Sequence, residues 1–142
     1  MSTVNDILNS KGRDVCSIAP DKMVYDAVSL MAEKEIGALL VMDGEKLTGI
    51  VTERDYARKI VLEGRSSRET PVRDVMTTRV LCVRPDQTIE ECMALMTDKR
   101  TRHLPVVDHK RVIGLVSIGD LVKAIIREQQ FVIEQLQHYI SG

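Results

Sequence analysis

The chain carries two copies of one pattern, and this internal repeat constrains the fold more than any other feature of the sequence. Residues 15–56 align with residues 80–121 at a constant offset of 65, without a gap. The two segments share 12 identical residues over 42 positions, where average composition gives roughly three by chance. The duplication predicts two related substructures, which we expect to pack on each other in one compact module.

Composition excludes several classes of protein. The 142 residues include 20 basic and 21 acidic side chains, one Phe, three Tyr and no Trp. Balanced charge and few aromatic stacking platforms argue against nucleic-acid binding. No run approaches the roughly 18 apolar residues of a membrane span, and the polar start is not a signal peptide. We therefore expect a cytoplasmic protein that binds neither nucleic acid nor membrane.

The three cysteines, Cys16, Cys82 and Cys92, are odd in number and form no Cys-x-x-Cys pair. This spacing argues against a disulfide framework and against a zinc site. Cys92 falls on an apolar helical face, so we interpret it as a core residue. No metal is predicted.

The apolar period changes in the same order within each copy, and that order predicts strand, helix, strand, strand, helix. A short strand at 15–18 or 81–83 ends before a proline. The helix that follows has the apolar spacing of a core-facing helix, at Val24, Ala27, Val28 and Met31 or at Ile89, Cys92, Met93 and Met96. Asp43-Gly44 indicates a tight hairpin between strands 38–42 and 47–52, repeated at 104–107 and 112–117. The predicted fold class is α+β.

We divide the chain into a first repeat at residues 1–65, a second repeat at 66–127 and a helical extension at 128–142. The first repeat includes a short pre-helix, because residues 4–8 are echoed at 72–76 with an offset of 68. The extension mixes apolar residues with Gln, Glu and His. We expect one continuous helix whose apolar side packs on the module or on a second subunit.

The best matched motif is a Gly, two apolar residues, a hydroxyl residue and an Asp three positions later, at 49–55 and 114–120. Thr52 and Ser117 each end a strand and begin a helix, so Asp55 and Asp120 fall at the third helical position. One interpretation is a helix-capping box. The other is a ligand site, because a helix N-terminus binds phosphate and a carboxylate can accept hydrogen bonds from a ribose diol.

A basic cluster precedes the second hairpin. Arg100, Arg102 and His103 occupy positions that the first copy fills with Glu35, Gly37 and Ala38. Such a cluster is either a solvated loop or a contact for a ligand phosphate. Arg54 and Arg58, four residues apart after Thr52, either add to this positive charge or pair with nearby acidic groups and solvent.

These motifs, together with the run Arg-His-Leu-Pro-Val-Val-Asp at 102–108, resemble the cystathionine β-synthase (CBS) domain, over roughly residues 4–127. Two such domains in tandem form a pair also called a Bateman module. The resemblance implies that the repeats pack about a pseudo-two-fold axis. It also implies that an adenosine-containing ligand binds in the cleft between them: AMP, ADP or ATP, sometimes NAD or S-adenosylmethionine.

The resemblance also implies roles for individual residues. Asp55 and Asp120 would hold ribose hydroxyls, while Thr52 and Ser117 would lie near phosphate. The adenine pockets would be lined by Ile18, Ile36, Gly37 and Ala38, or by Val83, Thr101, Arg102 and His103. Arg54 and Pro105 complete the candidate set, and Arg102 and His103 would also reach the phosphates of a nucleotide held by Asp55. Because the first copy has Gly-Ala-Leu-Leu in place of Arg-His-Leu-Pro, we expect one strong site and one weaker or differently selective site.

The function that follows is regulation: a homodimeric adenine-nucleotide sensor that modulates a partner enzyme or transporter and is not itself an enzyme. One alternative is a constitutive interaction or dimerisation module in which the Thr/Ser-x-x-Asp units are only caps. A nucleotide-processing enzyme is the third. Against it, the sequence places no nucleophile beside a His base and no cluster of metal ligands.

Overall fold

The computed structural model describes residues 2–141, which form a mixed α+β protein. It divides into two compact units. The first-repeat unit spans Val15–Leu81, and the second-repeat unit combines the residues before Val15 with those from Cys82 onward. Met1 and Gly142, at the two ends of the predicted domain ranges, lie outside the described residues.

The helices and strands occur in the order that the repeat predicts, except that the first strand of the second copy is not formed. The helices are α1 (Val4–Lys11), α2 (Val24–Lys34), α3 (Glu53–Asp55), α4 (Ile89–Lys99) and α5 (Ile118–Ser141). The strands are β1 (Ser17–Ile18), β2 (Ala38–Asp43), β3 (Lys46–Thr52), β4 (His103–Asp108) and β5 (Arg111–Ser117). Helix α3 continues directly as a π-helical segment, Tyr56–Val61, and a 3₁₀ turn follows at Val72–Asp74.

Each unit is built on one antiparallel hairpin. Strands β2 and β3 pair from Ala38 with Thr52 to Asp43 with Lys46, and β4 and β5 repeat this register from His103 with Ser117 to Asp108 with Arg111. The predicted turn at Asp43-Gly44 is confirmed, with Gly44 at a φ of 62°. Both hairpins carry a register shift at the same place, between the fourth and fifth residues of the first strand.

The first short strand differs between the two copies. In the first, β1 runs parallel to β2, and the Leu40 amide donates to the Cys16 carbonyl at 3.2 Å. In the second, the predicted strand 81–83 is reduced to a single parallel bridge between Val83 and Val106. The position equivalent to Leu40 is Pro105, which has no N–H to donate. The proline therefore removes the hydrogen bond that would extend the strand.

The predicted core faces of α2 and α4 are confirmed. Val24, Ala27 and Met31 are buried on α2, and their counterparts on α4 are buried in the same way. Both helices end in a left-handed residue, at Glu35 and Arg100. Thr88 caps the start of α4, where its hydroxyl accepts from the Glu91 amide at 3.1 Å.

Cys92 lies in the core of the second-repeat unit and is fully buried, as its helical position predicts. Burial, with a smaller effect of the neighbouring Glu91 carboxylate, raises the pKa of its thiol to about 11. A thiol with so high a pKa is protonated at neutral pH and unreactive. Cys92 therefore has a packing role.

The two pre-helix segments pack on the opposite repeat from the one that they precede. Helix α1 contributes Val4, Ile7 and Leu8 to the core of the second-repeat unit. The 3₁₀ turn and the residue after it contribute Val72 and Val75 to the core of the first-repeat unit. The division of the chain at residue 65 therefore differs from the packing, in which the N-terminal residues join the second repeat and residues 66–81 join the first.

The glycines of the two matched motifs make this exchange possible. At Gly114, an added Cβ would lie 2.6 Å from a methyl group of Leu8, and at Gly49 it would lie 2.7 Å from the sulfur of Met76. Leu8 and Met76 are the echoed positions of the two pre-helix segments. Each glycine thus leaves the space that the side chain of a distant segment fills.

The predicted C-terminal extension is confirmed as one continuous helix. Helix α5 begins directly after β5 and runs for 24 residues. Its first turns pack through Leu121 and Ala124 on the second-repeat core. Across residues 2–141, none of the helices combines the length and apolar character that crossing a bilayer requires.

Candidate functional site

Thr52 and Ser117 occupy the strand-to-helix junctions that the sequence predicts. The Thr52 hydroxyl accepts from the Asp55 amide at 3.2 Å, and the Asp55 carboxylate accepts from the Thr52 amide at 3.0 Å. At the second junction, the Ser117 hydroxyl accepts from the Asp120 amide at 3.2 Å, and the carboxylate accepts from the Ser117 amide at 2.8 Å. Both motifs are therefore complete capping boxes.

A third capping box lies outside the matched motifs. On α1, the Thr3 hydroxyl accepts from the Asp6 amide at 3.3 Å, and the Asp6 carboxylate accepts from the Thr3 amide at 2.9 Å. This box has the same chemistry as the two motif boxes but is exposed and does not follow a hairpin. Asp6 borders the same cavity as Lys11 and Asp120, but its carboxylate forms no ion pair among residues 2–141, so this box provides a reference for a cap without a lysine partner.

Each motif carboxylate also has a lysine partner. Oδ1 of Asp55, a residue only 8% exposed, lies 3.2 Å from Nζ of Lys59, one helical turn further along the chain. Oδ2 of Asp120 lies 2.7 Å from Nζ of Lys11, which reaches over from α1. A carboxylate and an ammonium group therefore stand side by side at both junctions, and this combination suits a ligand with both hydroxyl and phosphate groups.

Lys11 replaces a backbone interaction that the first repeat makes. In the first-repeat unit, the carbonyl of Ile50 accepts from the backbone amide of Thr77 at 2.9 Å. In the second-repeat unit, the equivalent carbonyl of Leu115 accepts from Nζ of Lys11 at 2.8 Å. Lys11 therefore joins the strand β5, the helix α1 and the carboxylate of Asp120.

The electrostatic environment of Asp120 favours its ionised form. Burial alone raises the pKa of this carboxyl, but the Lys11 ammonium and the amide and hydroxyl of Ser117 outweigh burial and hold the pKa below its ordinary value. The contacts of Asp120 within the described residues all fall on Oδ2. Oδ1 therefore keeps its lone pairs for another hydrogen-bond donor.

Replacing Lys11 tests this ion pair through its pH dependence. A carboxyl whose pKa is depressed on folding stabilises the fold above its unfolded value of 3.8, and that contribution is lost as the pH falls through the folded value. We expect Lys11→Met to lower the free energy of unfolding at neutral pH by about 1 kcal/mol, after allowance for solvent screening of the half-exposed lysine.

Urea denaturation of Lys11→Met and wild type at neutral pH and well below pH 3.8 measures this effect. The difference between the two proteins should shrink in acid to the part that the hydrogen bond from Lys11 to the Leu115 carbonyl contributes. Lys123→Met, an exposed lysine on α5, is the matched control and should behave as wild type at both pH values. An equal loss in acid would contradict an ionic role for Lys11.

The candidate residues of the first repeat lie at one end of its hairpin. Ala38 pairs with Thr52, and the carbonyl of Gly37 accepts from the Glu53 amide at 3.1 Å. The same hairpin end therefore carries Gly37, Ala38, Thr52, Arg54 and Asp55. Ile18, on β1, pairs with Val41 of β2, and both Ile18 and Ile36 pack against the core of this unit.

The second repeat gathers its candidate residues in the same way. His103 pairs with Ser117, and the carbonyl of Arg102 accepts from the Ile118 amide at 2.9 Å. The Val83 amide donates to the carbonyl of Pro105 at 2.9 Å. Arg102 is exposed and His103 is partly exposed, whereas Val83 and Pro105 are buried. The basic residues thus reach solvent beside the capping box of Asp120.

Sequence reasoning missed the two lysines. Lys59 could have been found, because it follows Asp55 by four residues on a predicted helix and that spacing brings opposite charges together. Lys11 is 109 residues away from Asp120 and could be placed only by knowing that α1 packs on the second repeat. Within residues 2–141, no group of three or more His, Cys, Asp or Glu side chains is arranged to hold a metal ion.

Comparison with known proteins agrees with this architecture. The family model of the CBS domain matches the chain twice, over residues 4–62 and 72–127. The chain belongs to the CBS-domain family. The CBS domain-containing protein CBSX3 of Arabidopsis thaliana, mitochondrial by its name, is 42% identical over 150 residues, which cover 99% of this chain and 73% of CBSX3.

Two further relatives also align with most of this chain. The CBS domain-containing protein YhcV of Bacillus subtilis is 34% identical over 121 residues, which cover 85% of this chain and 84% of YhcV. A solved structure of a CBS-domain protein from Burkholderia ambifaria is 56% identical, with a TM-score of 0.88 over 90% of this chain and 96% of that chain. The two CBS repeats therefore account for most of the residues of this chain.

Proposed function

We propose that this CBS-domain protein is a regulatory module that binds an adenosine-containing ligand beside its two motif capping boxes. The observation that carries the proposal is the repeated junction itself. Each one combines a strand-to-helix turn, a capping hydroxyl, a largely buried carboxylate and a lysine ammonium within 3.2 Å of that carboxylate. A cap alone requires only the hydroxyl and the carboxylate, as Thr3 and Asp6 illustrate.

A solved relative supports the chemical class of the ligand. The CBS domain pair of protein MJ0100 was crystallised in complex with 5′-methylthioadenosine and S-adenosylmethionine. It shares the fold of this chain, with a TM-score of 0.79, at only 22% identity. We therefore take adenosine as the shared chemistry and AMP, ADP, ATP, NAD and S-adenosylmethionine as the compounds to test. No metal is part of the proposal.

We propose that the junction around Asp120 is the stronger site. Oδ1 of Asp55 is already paired with Lys59, whereas the contacts of Asp120 leave its Oδ1 available to a ribose hydroxyl. The exposed Arg102 adds positive charge, and the neighbouring His103 adds an imidazole that can form hydrogen bonds, where the first repeat has Gly37 and Ala38. A ligand that carries phosphate should therefore prefer the second-repeat unit.

Ligand binding at these junctions would act by shifting a conformational equilibrium that a partner enzyme or transporter reads. The proposed module is not an enzyme, acts in the cytoplasm and forms a homodimer. Other members of the family form larger assemblies, since a CBS-CP12 protein that is 28% identical to this chain is described as hexameric. The competing function is a constitutive interaction module, in which the boxes serve only as caps.

Isothermal titration calorimetry on the wild-type protein distinguishes these functions. We expect saturable binding of at least one adenosine compound, with GMP and CMP as controls that bind at least about tenfold more weakly. A constitutive interaction module would bind none of them. The absence of binding by every adenosine compound at millimolar concentration would contradict the proposal, and equal binding of GMP would contradict the adenosine class.

A further inference from the structure

The C-terminal half of α5 is largely uncovered by the other residues that the structure describes. From Gln129 to Ile140 every residue is exposed. Several of these side chains are large and apolar, with Phe131 62%, Ile133 52% and Leu136 56% exposed. An unsupported helix of about 12 residues is marginal in water. This stretch of α5 therefore needs a surface on which to pack.

Five of the apolar residues of α5 follow a heptad spacing. A single stripe with alternating steps of four and three residues runs along the exposed side of the helix, and we call it the α5 seam: Val122, Ile126, Gln129, Ile133, Leu136 and Ile140. The residues of this stripe are all exposed. This is the a/d pattern of a coiled coil, sustained over about 27 Å of helix.

The α5 seam begins on the part of the helix that is anchored in the second-repeat unit. There, Leu121 and Ala124 are buried in the core while Val122 and Ile126, on the other side of the helix, are 43% and 48% exposed. The core face and the seam are thus two separate apolar faces of one helix. Packing of the repeat explains only the first of them.

The composition of the seam indicates which surface covers it. Ile126, Ile133 and Ile140 occupy the a positions, and Leu136 occupies a d position, a combination typical of two-stranded coiled coils. The positions on one flank of the seam are apolar, and those on the other are Lys123, Gln130 and Gln137. With one charge per copy on these flanks, two identical seams meet with little like-charge repulsion.

A lipid surface fits the helix less well. Amphipathic helices that lie on membranes carry Lys and Arg on their polar face. Beyond residue 126, the polar residues of α5 include one basic side chain, Arg127, against Glu128 and Glu134, and the rest are mostly Gln. This balance offers no attraction to anionic lipid and favours a protein partner.

We propose that the α5 seam pairs with the α5 seam of a second copy of this chain, so that the C-terminal helices form a two-stranded coiled coil that holds the homodimer together. The seam supplies the specific contact for that dimer. Gln129, the one polar residue in the seam, restricts the register at a cost in stability.

Light scattering coupled to size-exclusion chromatography tests the proposal on the full chain. At micromolar concentration, wild type should elute as a dimer. Ile133→Lys combined with Leu136→Lys places two charges in the seam of each copy, and we expect the dissociation constant to rise at least about a hundredfold, giving a monomer. Because both side chains are exposed within the chain, the repeats should remain folded by circular dichroism.

Two further variants keep the test specific. Gln135→Lys with His138→Lys adds the same charge to the opposite side of the helix and should leave the dimer intact. Gln129→Leu removes the polar seam residue and should lower the dissociation constant roughly tenfold. A monomeric wild type, a dimeric seam variant, equal dissociation of both lysine variants or an unchanged constant for Gln129→Leu would each overturn the proposal.

Discussion

Leu8→Ala should lower the free energy of unfolding by about 3 kcal/mol, the range in which truncation of a buried leucine leaves a cavity. Leu8 is fully buried in the second-repeat core although it precedes the first-repeat unit along the chain. Its methyl groups fill the space above Gly114. The loss should appear in urea denaturation and, by hydrogen exchange, in the amides of the second-repeat unit rather than in those of residues 15–81.

Asn9→Ala is the matched control for this substitution. Asn9 lies on the same helix but is exposed, where it accepts a hydrogen bond from Arg13 at 2.7 Å. Its replacement should change the free energy of unfolding by no more than about 0.5 kcal/mol. If Leu8→Ala were as mild as Asn9→Ala, or if it weakened the amides of the first repeat instead, the packing of α1 on the second repeat would be refuted.

Gly49→Ala is the second substitution with a large expected effect. The new Cβ would lie 2.9 Å from the carbonyl oxygen of Thr77 as well as 2.7 Å from the sulfur of Met76. The Thr77 carbonyl cannot move freely, because Thr77 and Ile50 exchange two backbone hydrogen bonds of 2.9 and 3.0 Å. We expect a loss of about 2 to 3 kcal/mol in the free energy of unfolding.

Gly114→Ala provides the comparison. There the added Cβ meets only the flexible end of the Leu8 side chain, so the loss should be smaller, about 1 to 2 kcal/mol. Adding Met76→Ala to Gly49→Ala should not restore stability, because the contact with the Thr77 carbonyl remains. Chemical denaturation of the two glycine variants measures which of them loses more free energy of unfolding. A larger loss for Gly114→Ala would contradict the structural explanation.

Much of each unit could be predicted from the repeat alone. Two hairpins at an offset of 65 follow from the matched positions of Gly49 with Gly114 and Asp43 with Asp108. The register shift that both hairpins share is known only from the structure. The core faces of α2 and α4 follow from apolar spacing. These features are local, and the chemistry of neighbouring residues determines them.

The parts that could not be predicted depend on contacts between distant residues. The echo between residues 4–8 and 72–76 indicates two pre-helix segments but not the repeat on which each one packs. The loss of the strand at 81–83 depends on the missing amide of Pro105, which lies on a different strand. The lysine partner of Asp120 could not be predicted for the same reason. Lys11 approaches Asp120 only because α1 packs on the second-repeat unit.

The structure also sharpens the choice between a cap and a ligand site. Asp55 and Asp120 do cap their helices, so capping and ligand binding are not exclusive interpretations of the motif. What distinguishes these boxes from that of Thr3 and Asp6 is their position at the end of a hairpin and their paired lysines. A substitution that affects ligand binding must therefore be compared with one that affects a cap without a lysine partner.

Asp→Asn substitutions at the three boxes provide that comparison, because asparagine keeps an oxygen acceptor for the capping amide but loses the charge. Asp120→Asn should weaken ligand binding by at least about tenfold, since a hydrogen bond to a charged group is lost. Asp55→Asn should have a smaller effect on the stronger site. Asp6 borders the same cavity as Asp120, but its box does not follow a hairpin and its carboxylate forms no ion pair among the described residues, so Asp6→Asn should weaken binding far less than Asp120→Asn.

The central claim is tested most directly by calorimetric titration of these three variants and wild type with the adenosine compound that wild type binds best. The predicted result is a loss of affinity in Asp120→Asn while Asp6→Asn retains most of the affinity of wild type. If wild type bound no adenosine compound, or if Asp120→Asn bound as tightly as Asp6→Asn, the motif boxes would be helix caps and the claim would be contradicted.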